Sequence, residues 1–216
     1  MQDQESIEAV FKAGIRSLAQ VTPFTAVIGQ AWSEWETITR FNRIEEMFAA
    51  LKTEFGRLEN EMNQNAAKIR ESPELPILFE STGRAAMLEP SDTKREYLAR
   101  LLAQLVAAAD KFGPEEKLNL IDTLQSLGES DLQLLAKFSE DAPRIDDEDD
   151  PNLIGEIWVS LSKLVSRGLA YLPPTGVYGL GPLDKAPRKQ IVWRDRYYRL
   201  MPHGEKLVHL LGLAYE

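Results

Sequence analysis

Six basic residues crowd into 15 positions near the C-terminal end: Lys185, Arg188, Lys189, Arg194, Arg196 and Arg199. Trp193, Tyr197 and Tyr198 are interleaved with them, and only Asp184 and Asp195 oppose them locally. Cations mixed with aromatics in this way suit contact with nucleic-acid phosphates, where binding is driven by release of counterions. Side chains alternate faces along an extended strand, so Arg194 and Arg196 share one side of the segment. Two more cations, Lys163 and Arg167, sit upstream on a stretch with helical spacing, beside Glu156. The same basic residues can instead pair with the chain's own carboxylates, including the acidic run at 146–150. The sequence leaves both readings open.

Other chemistries find little support. The two histidines, His203 and His209, lie six apart on one helical stretch and therefore on different faces, so they do not chelate one metal. No nucleophile elbow of the form Gly-x-Ser-x-Gly is present, nor a glycine-rich loop ending in Gly-Lys-Ser/Thr. Gly176, Gly179 and Gly181 lack the helix start with lysine that a phosphate cradle needs. Glu45-Glu46 and Glu115-Glu116 fall on helical stretches where a solvated face is the ordinary reading. The acidic run at 139–152 lacks the central glycine and closing glutamate of a calcium loop. With no cysteine anywhere, disulfides, thiolate metal sites and cysteine nucleophiles are excluded. The expectation is a chain with no catalytic residues, no cofactor and no metal.

Charge is distributed unevenly. Residues 151–216 carry nine Lys/Arg against five Asp/Glu, a balance of +4, whereas the first 150 carry 16 against 29, or −13. An anionic partner therefore has only the last third of the chain to meet. The N-terminal residues 1–8 are acidic, unlike a secretory or transit signal. Phe11 to Trp32 is interrupted by Lys12, Arg16 and Pro23, so no transmembrane segment is expected, although residues 7–32 leave association with a membrane surface open. The expected location is the cytoplasm.

These residues need a scaffold, and the periodicity predicts a mostly helical one. Ile7, Val10, Phe11, Ile15 and Leu18 mark a short amphipathic helix that Thr22-Pro23 ends. A long helix is predicted from about Ala26 to Asn63. Along it Phe41, Ile44, Phe48, Leu51, Phe55, Leu58 and Met62 alternate spacings of three and four, a heptad seam. This seam fits one helix of an intramolecular bundle or a dimeric coiled coil, and its three phenylalanines favour the bundle. Helices are also predicted after Ser72-Pro73, after the capping pair Ser91-Asp92, from Pro114, from Ser130 and over 153–167 up to Gly168. Gln190 to Trp193 and Tyr197 to Leu200 read as two strands, and 203–214 as a closing helix.

Leu161 to Leu169 resembles the recognition-helix end of winged-helix proteins, and Tyr198 to Leu207 resembles the turn that leaves the wing. Met201 stands where that turn usually has threonine and cannot cap the helix. The resemblance implies a winged helix-turn-helix, a fold used for DNA binding and for protein docking alike. Farther upstream, Asp92 to Ala103 is similar to the central helix of bacterial abortive-infection alpha-type proteins, with Asp131 to Leu135 at the place of a later leucine-rich segment. That resemblance implies a role in phage defence with no established enzymatic activity.

The sequence therefore leads to a mainly α protein. Residues 1–128 form a helical bundle with one long heptad-patterned helix, and 129–216 a small winged-helix-like α+β module containing the acidic linker 139–152. The expected function is a non-enzymatic bacterial interaction or regulatory protein. It would have a protein partner or a second copy on the Phe41 to Met62 seam. The alternative is a transcriptional regulator binding DNA through the basic wing.

Overall fold

A computed structural model describes residues 34–108, 111–138, 151–172, 190–193 and 196–213. The chain is mainly α, a helical bundle followed by a small α+β part, and it divides into two compact units, Met1–Gln125 and Ser126–Glu216.

The first unit contains α1 (Glu34–Arg57), α2 (Glu59–Gln64), α3 (Ala66–Glu71), α4 (Leu75–Leu88), α5 (Asp92–Ala107) and nearly all of α6 (Pro114–Ser126). Sequence punctuation sets these boundaries. Ser91 is extended, and its hydroxyl accepts the Lys94 N–H at 3.2 Å, satisfying one of the free donors of the first turn. Pro114 opens α6 at a position where a missing N–H costs nothing. α1 packs against α4 and α5, and these two pack against each other. Met47, Leu51, Phe55, Leu98, Leu101, Leu102 and Leu105 are sealed from solvent between them. The Phe48 and Phe79 rings stack with centroids 6.5 Å apart.

Two features of the predicted long helix are corrected. Its heptad spacing runs on to Met62, but α1 ends at Arg57, and Leu58 adopts φ −98°, ψ 13° before α2 begins. Gly56 weakens the helix just before the bend. Asn65 then donates its side-chain amide to the Ala107 carbonyl at 2.9 Å, drawing the segment onto the end of α5. Second, the C-terminal half of the seam faces this chain's own core. Leu51 and Phe55 are fully buried and Met62 nearly so, Ile44, Phe48 and Leu58 are half-buried, and Phe41 remains exposed at the N-terminal end. Those inner positions are filled by α4 and α5, which leaves no room for an outside helix there.

The second unit contains α7 (Glu129–Lys137), α8 (Pro151–Ser166), β1 (Ala170–Tyr171), β2 (Gln190–Trp193), β3 (Arg196–Leu200) and α9 (Pro202–Leu211). The strands form one antiparallel sheet in the order β1-β3-β2, with Ala170 opposite Leu200 and Ile191 opposite Tyr198. β1 was not foreseen, being only two residues long. α8 stops in a left-handed residue, Gly168 at φ 67°. The Leu169 N–H returns to the Leu164 carbonyl at 2.9 Å and the Gly168 N–H to Val165 at 3.0 Å. This is the Schellman closure, which favours glycine because a Cβ is strained at positive φ. It turns the chain directly into β1.

Candidate functional site

The candidate surface lies in the second unit, around α8. Residues Ile157, Ser160, Leu161 and Leu164 point inward. The opposite face carries Gly155, Glu156, Trp158, Val159, Ser162, Ser166 and Arg167, all exposed, with Val165 and Lys163 half-buried at its edges. Trp158 keeps 47% of its surface in solvent and Val159 62%, large values for apolar side chains on a short helix. With Leu153, Ile154, Ile157, Leu161, Leu164 and Val165, Trp158 makes an apolar set at helical spacing, which predicts it on the inward stripe. It lies instead on that stripe's flank, one residue and about 100° farther round than Ile157.

Lys163, expected among the DNA-reading cations, is engaged within the unit. Its ammonium lies 2.6 Å from Asp131 Oδ2. Asp131 is the third residue of α7 and is buried. The same oxygen accepts the Gly128 N–H at 2.7 Å, so one carboxylate closes the start of α7 and fastens α8 to it. Ser130, expected to cap this helix, lies inside the first turn instead. The extended residue before the helix is Gly128, and Asp131 reaches back to it as the acidic third residue of a capping box does. Arg167 is exposed.

Burial by itself raises the Asp131 carboxyl. The hydrogen bonds from Lys163, Gly128 and Ser160, with the Lys163 charge, outweigh it and hold the group below the ordinary aspartate range. A depressed folded pKa stabilises the fold above the unfolded value of about 3.9, and that stability is lost as pH falls through the lower folded value. Asp131→Asn is accordingly expected to cost about 2 kcal/mol at neutral pH. The deficit should shrink as the medium falls below about pH 4. Urea unfolding of the two proteins across this range would check it, and equal stability at neutral pH would rule the clasp out.

Of the remaining sequence-predicted cations, Lys185, Arg188, Lys189 and Arg194 lie outside the described residues, as do Arg196's side chain, the helix at 7–18 and residues 139–150 of the linker 139–152, whose last two residues instead open α8. Arg199 is half-buried on the central strand, opposite Tyr171 and Gln190, and its Nε is buried with no hydrogen-bond acceptor. His203 and His209 both lie on α9. Among the described residues no group of three or more His, Asp or Glu is placed to hold a metal, and no helix is long and apolar enough to cross a membrane.

Buried charges that sequence reading missed occur in the first unit, and all are structurally employed. Lys94 pairs with Glu89 and donates to the Gln125 carbonyl at 3.3 Å. Arg95 holds Glu46, Asp92 at 2.6 Å and the Glu89 carbonyl at 2.9 Å. Lys117 pairs with Glu74 at 2.8 Å, and Arg57 and Arg100 both reach Glu54 at 3.2 Å. Most of these partners come from other elements, 43–49 residues away in the cases of Glu46, Glu54 with Arg100, and Glu74, so no local spacing announces them. No protein family, curated protein or solved structure matches this chain.

Proposed function

We propose that this protein is a non-enzymatic interaction protein that docks a protein partner through the outward face of α8. The observation that carries this reading is the character of that face. Trp158 and Val159 project from it, whereas Lys163 is held by Asp131. A helix that reads DNA presents cations and amides to base edges in the major groove. Exposed aromatic and branched aliphatic side chains instead suit the desolvated centre of a protein interface. The order α7, α8, β1, hairpin and α9 supports a winged-helix-like module used for docking. The likeness of Asp92 to Ala103 to abortive-infection alpha-type proteins adds phage defence as the setting.

A photo-crosslinking residue at position 159 tests this in the cells of origin. The expected product on irradiation is a discrete adduct to protein, resistant to nuclease. An adduct destroyed by nuclease would overturn the reading in favour of DNA regulation. That second reading draws on Arg167, which is exposed. It requires duplex binding at about 50 mM salt that falls steeply by about 200 mM.

A further inference from the structure

Along α8 successive residues advance by about 100°, which sorts its outward face into three strips. Gly155, Val159, Ser162 and Ser166 run down the middle and, apart from Val159, are small enough to admit another backbone closely. Trp158 and Val165 form an apolar flank on one side. Glu156, Lys163 and Arg167 form the other flank, where Lys163 already has its counterion in Asp131. The unspent charges on that flank are one acid, Glu156, and one base, Arg167, both exposed.

These strips are self-complementary about a point between Leu161 and Ser162. Glu156 and Arg167 lie equally far from it on the charged flank. Trp158 and Val165 lie equally far from it on the apolar flank. A two-fold axis through this point, normal to the helix, sets a second α8 antiparallel and brings like flank to like flank. Glu156 of each copy then meets Arg167 of the other, and Trp158 meets Val165, each contact occurring twice. A parallel pair would lay the apolar flank against the charged one. We infer that the occupant of this face is a second copy of the chain, docked as an antiparallel α8 pair in a closed, isologous dimer. The inference rests on the docking reading above and names its partner.

One helix per copy covers less than the ~1,200 Å² of a stable interface, so the dimer is expected to be weak, with Kd on the order of micromolar. Sedimentation equilibrium of the full chain up to about 200 µM should show it. Glu156→Arg and Arg167→Glu should each weaken association about tenfold or more by placing like charges together, and the double exchange should restore it. Both positions are exposed, and circular dichroism melts will confirm that the variants fold. Because the chain has no cysteine, Ser162→Cys beside the axis should oxidise to a linked dimer. Gly155→Cys should not, its two copies lying well beyond the ~7 Å Cα separation that a disulfide tolerates.

A protein monomeric at the highest concentration, or a dimer indifferent to the charge exchange, overturns the antiparallel pair. The crosslinker at position 159 then separates the two failures. An adduct to a different protein leaves the docking reading standing, and an absence of any protein adduct removes both.

Discussion

Gly204→Ala is expected to destabilise the second unit by about 3 kcal/mol, near the upper end of ordinary overpacking costs. Gly204 sits in the first turn of α9, immediately after β3, where the helix crosses the end of β1. A Cβ there would stand 2.3 Å from the Leu169 carbonyl oxygen and 2.7 Å from Leu200 Cδ1. The leucine methyl can turn away. The carbonyl cannot, because it accepts the Met201 N–H at 2.8 Å and continues the ladder between β1 and β3. The chain must therefore open the ladder or tilt α9, whose buried Leu207, Val208, Leu210 and Leu211 belong to the core of the unit. The expected reading is a transition lowered by roughly 10–20 °C for a unit of this size, followed by scanning calorimetry of the full chain. An unchanged melt would mean that α9 packs more loosely than described.

Phe55→Ala should cost the first unit about 3–5 kcal/mol, the range for emptying a fully enclosed aromatic site. This substitution also decides what the heptad seam is for. Phe55 has no solvent exposure within a single chain, since α1 buries it against its own neighbours. Its loss should therefore appear as reduced thermal and urea stability that does not depend on protein concentration. A variant that melts like the parent but changes its association state would return the seam to an intermolecular role.

Much of this fold was legible because helices announce themselves locally. Ser91, Pro114 and Gly168 act through their own backbones or those a few residues away, and the helix boundaries follow. The break at Leu58 was not legible, since the three-and-four spacing passes straight through it. Nor was the tie that follows it, where Asn65 meets a carbonyl 42 residues away. The candidate surface failed in a similar manner. Lys163 looks like a free cation until the fold brings Asp131, 32 residues earlier, beneath it. Trp158 looks like core because hydrophobicity says nothing about which side of a narrow stripe a residue occupies.

Arg95 has a consequence for how faithfully the chain finds its fold. A buried carboxylate or lysine can shed its charge when misplaced, but a guanidinium has no neutral form within reach. Three acceptors from α1, the start of α5 and the preceding turn converge on it, and its side chain is 6% exposed. A helix of leucines and alanines such as α5 offers greasy contacts that would be nearly as good one turn out of step. Sliding α5 by a turn would carry Arg95 away from Glu46, its partner on another helix, and leave the buried guanidinium with only the local acceptors Asp92 and the Glu89 carbonyl, at a cost of about 1–3 kcal/mol. The residue thus acts as an error check, making compact but misaligned bundles costly in a sequence whose hydrophobic pattern alone distinguishes them poorly.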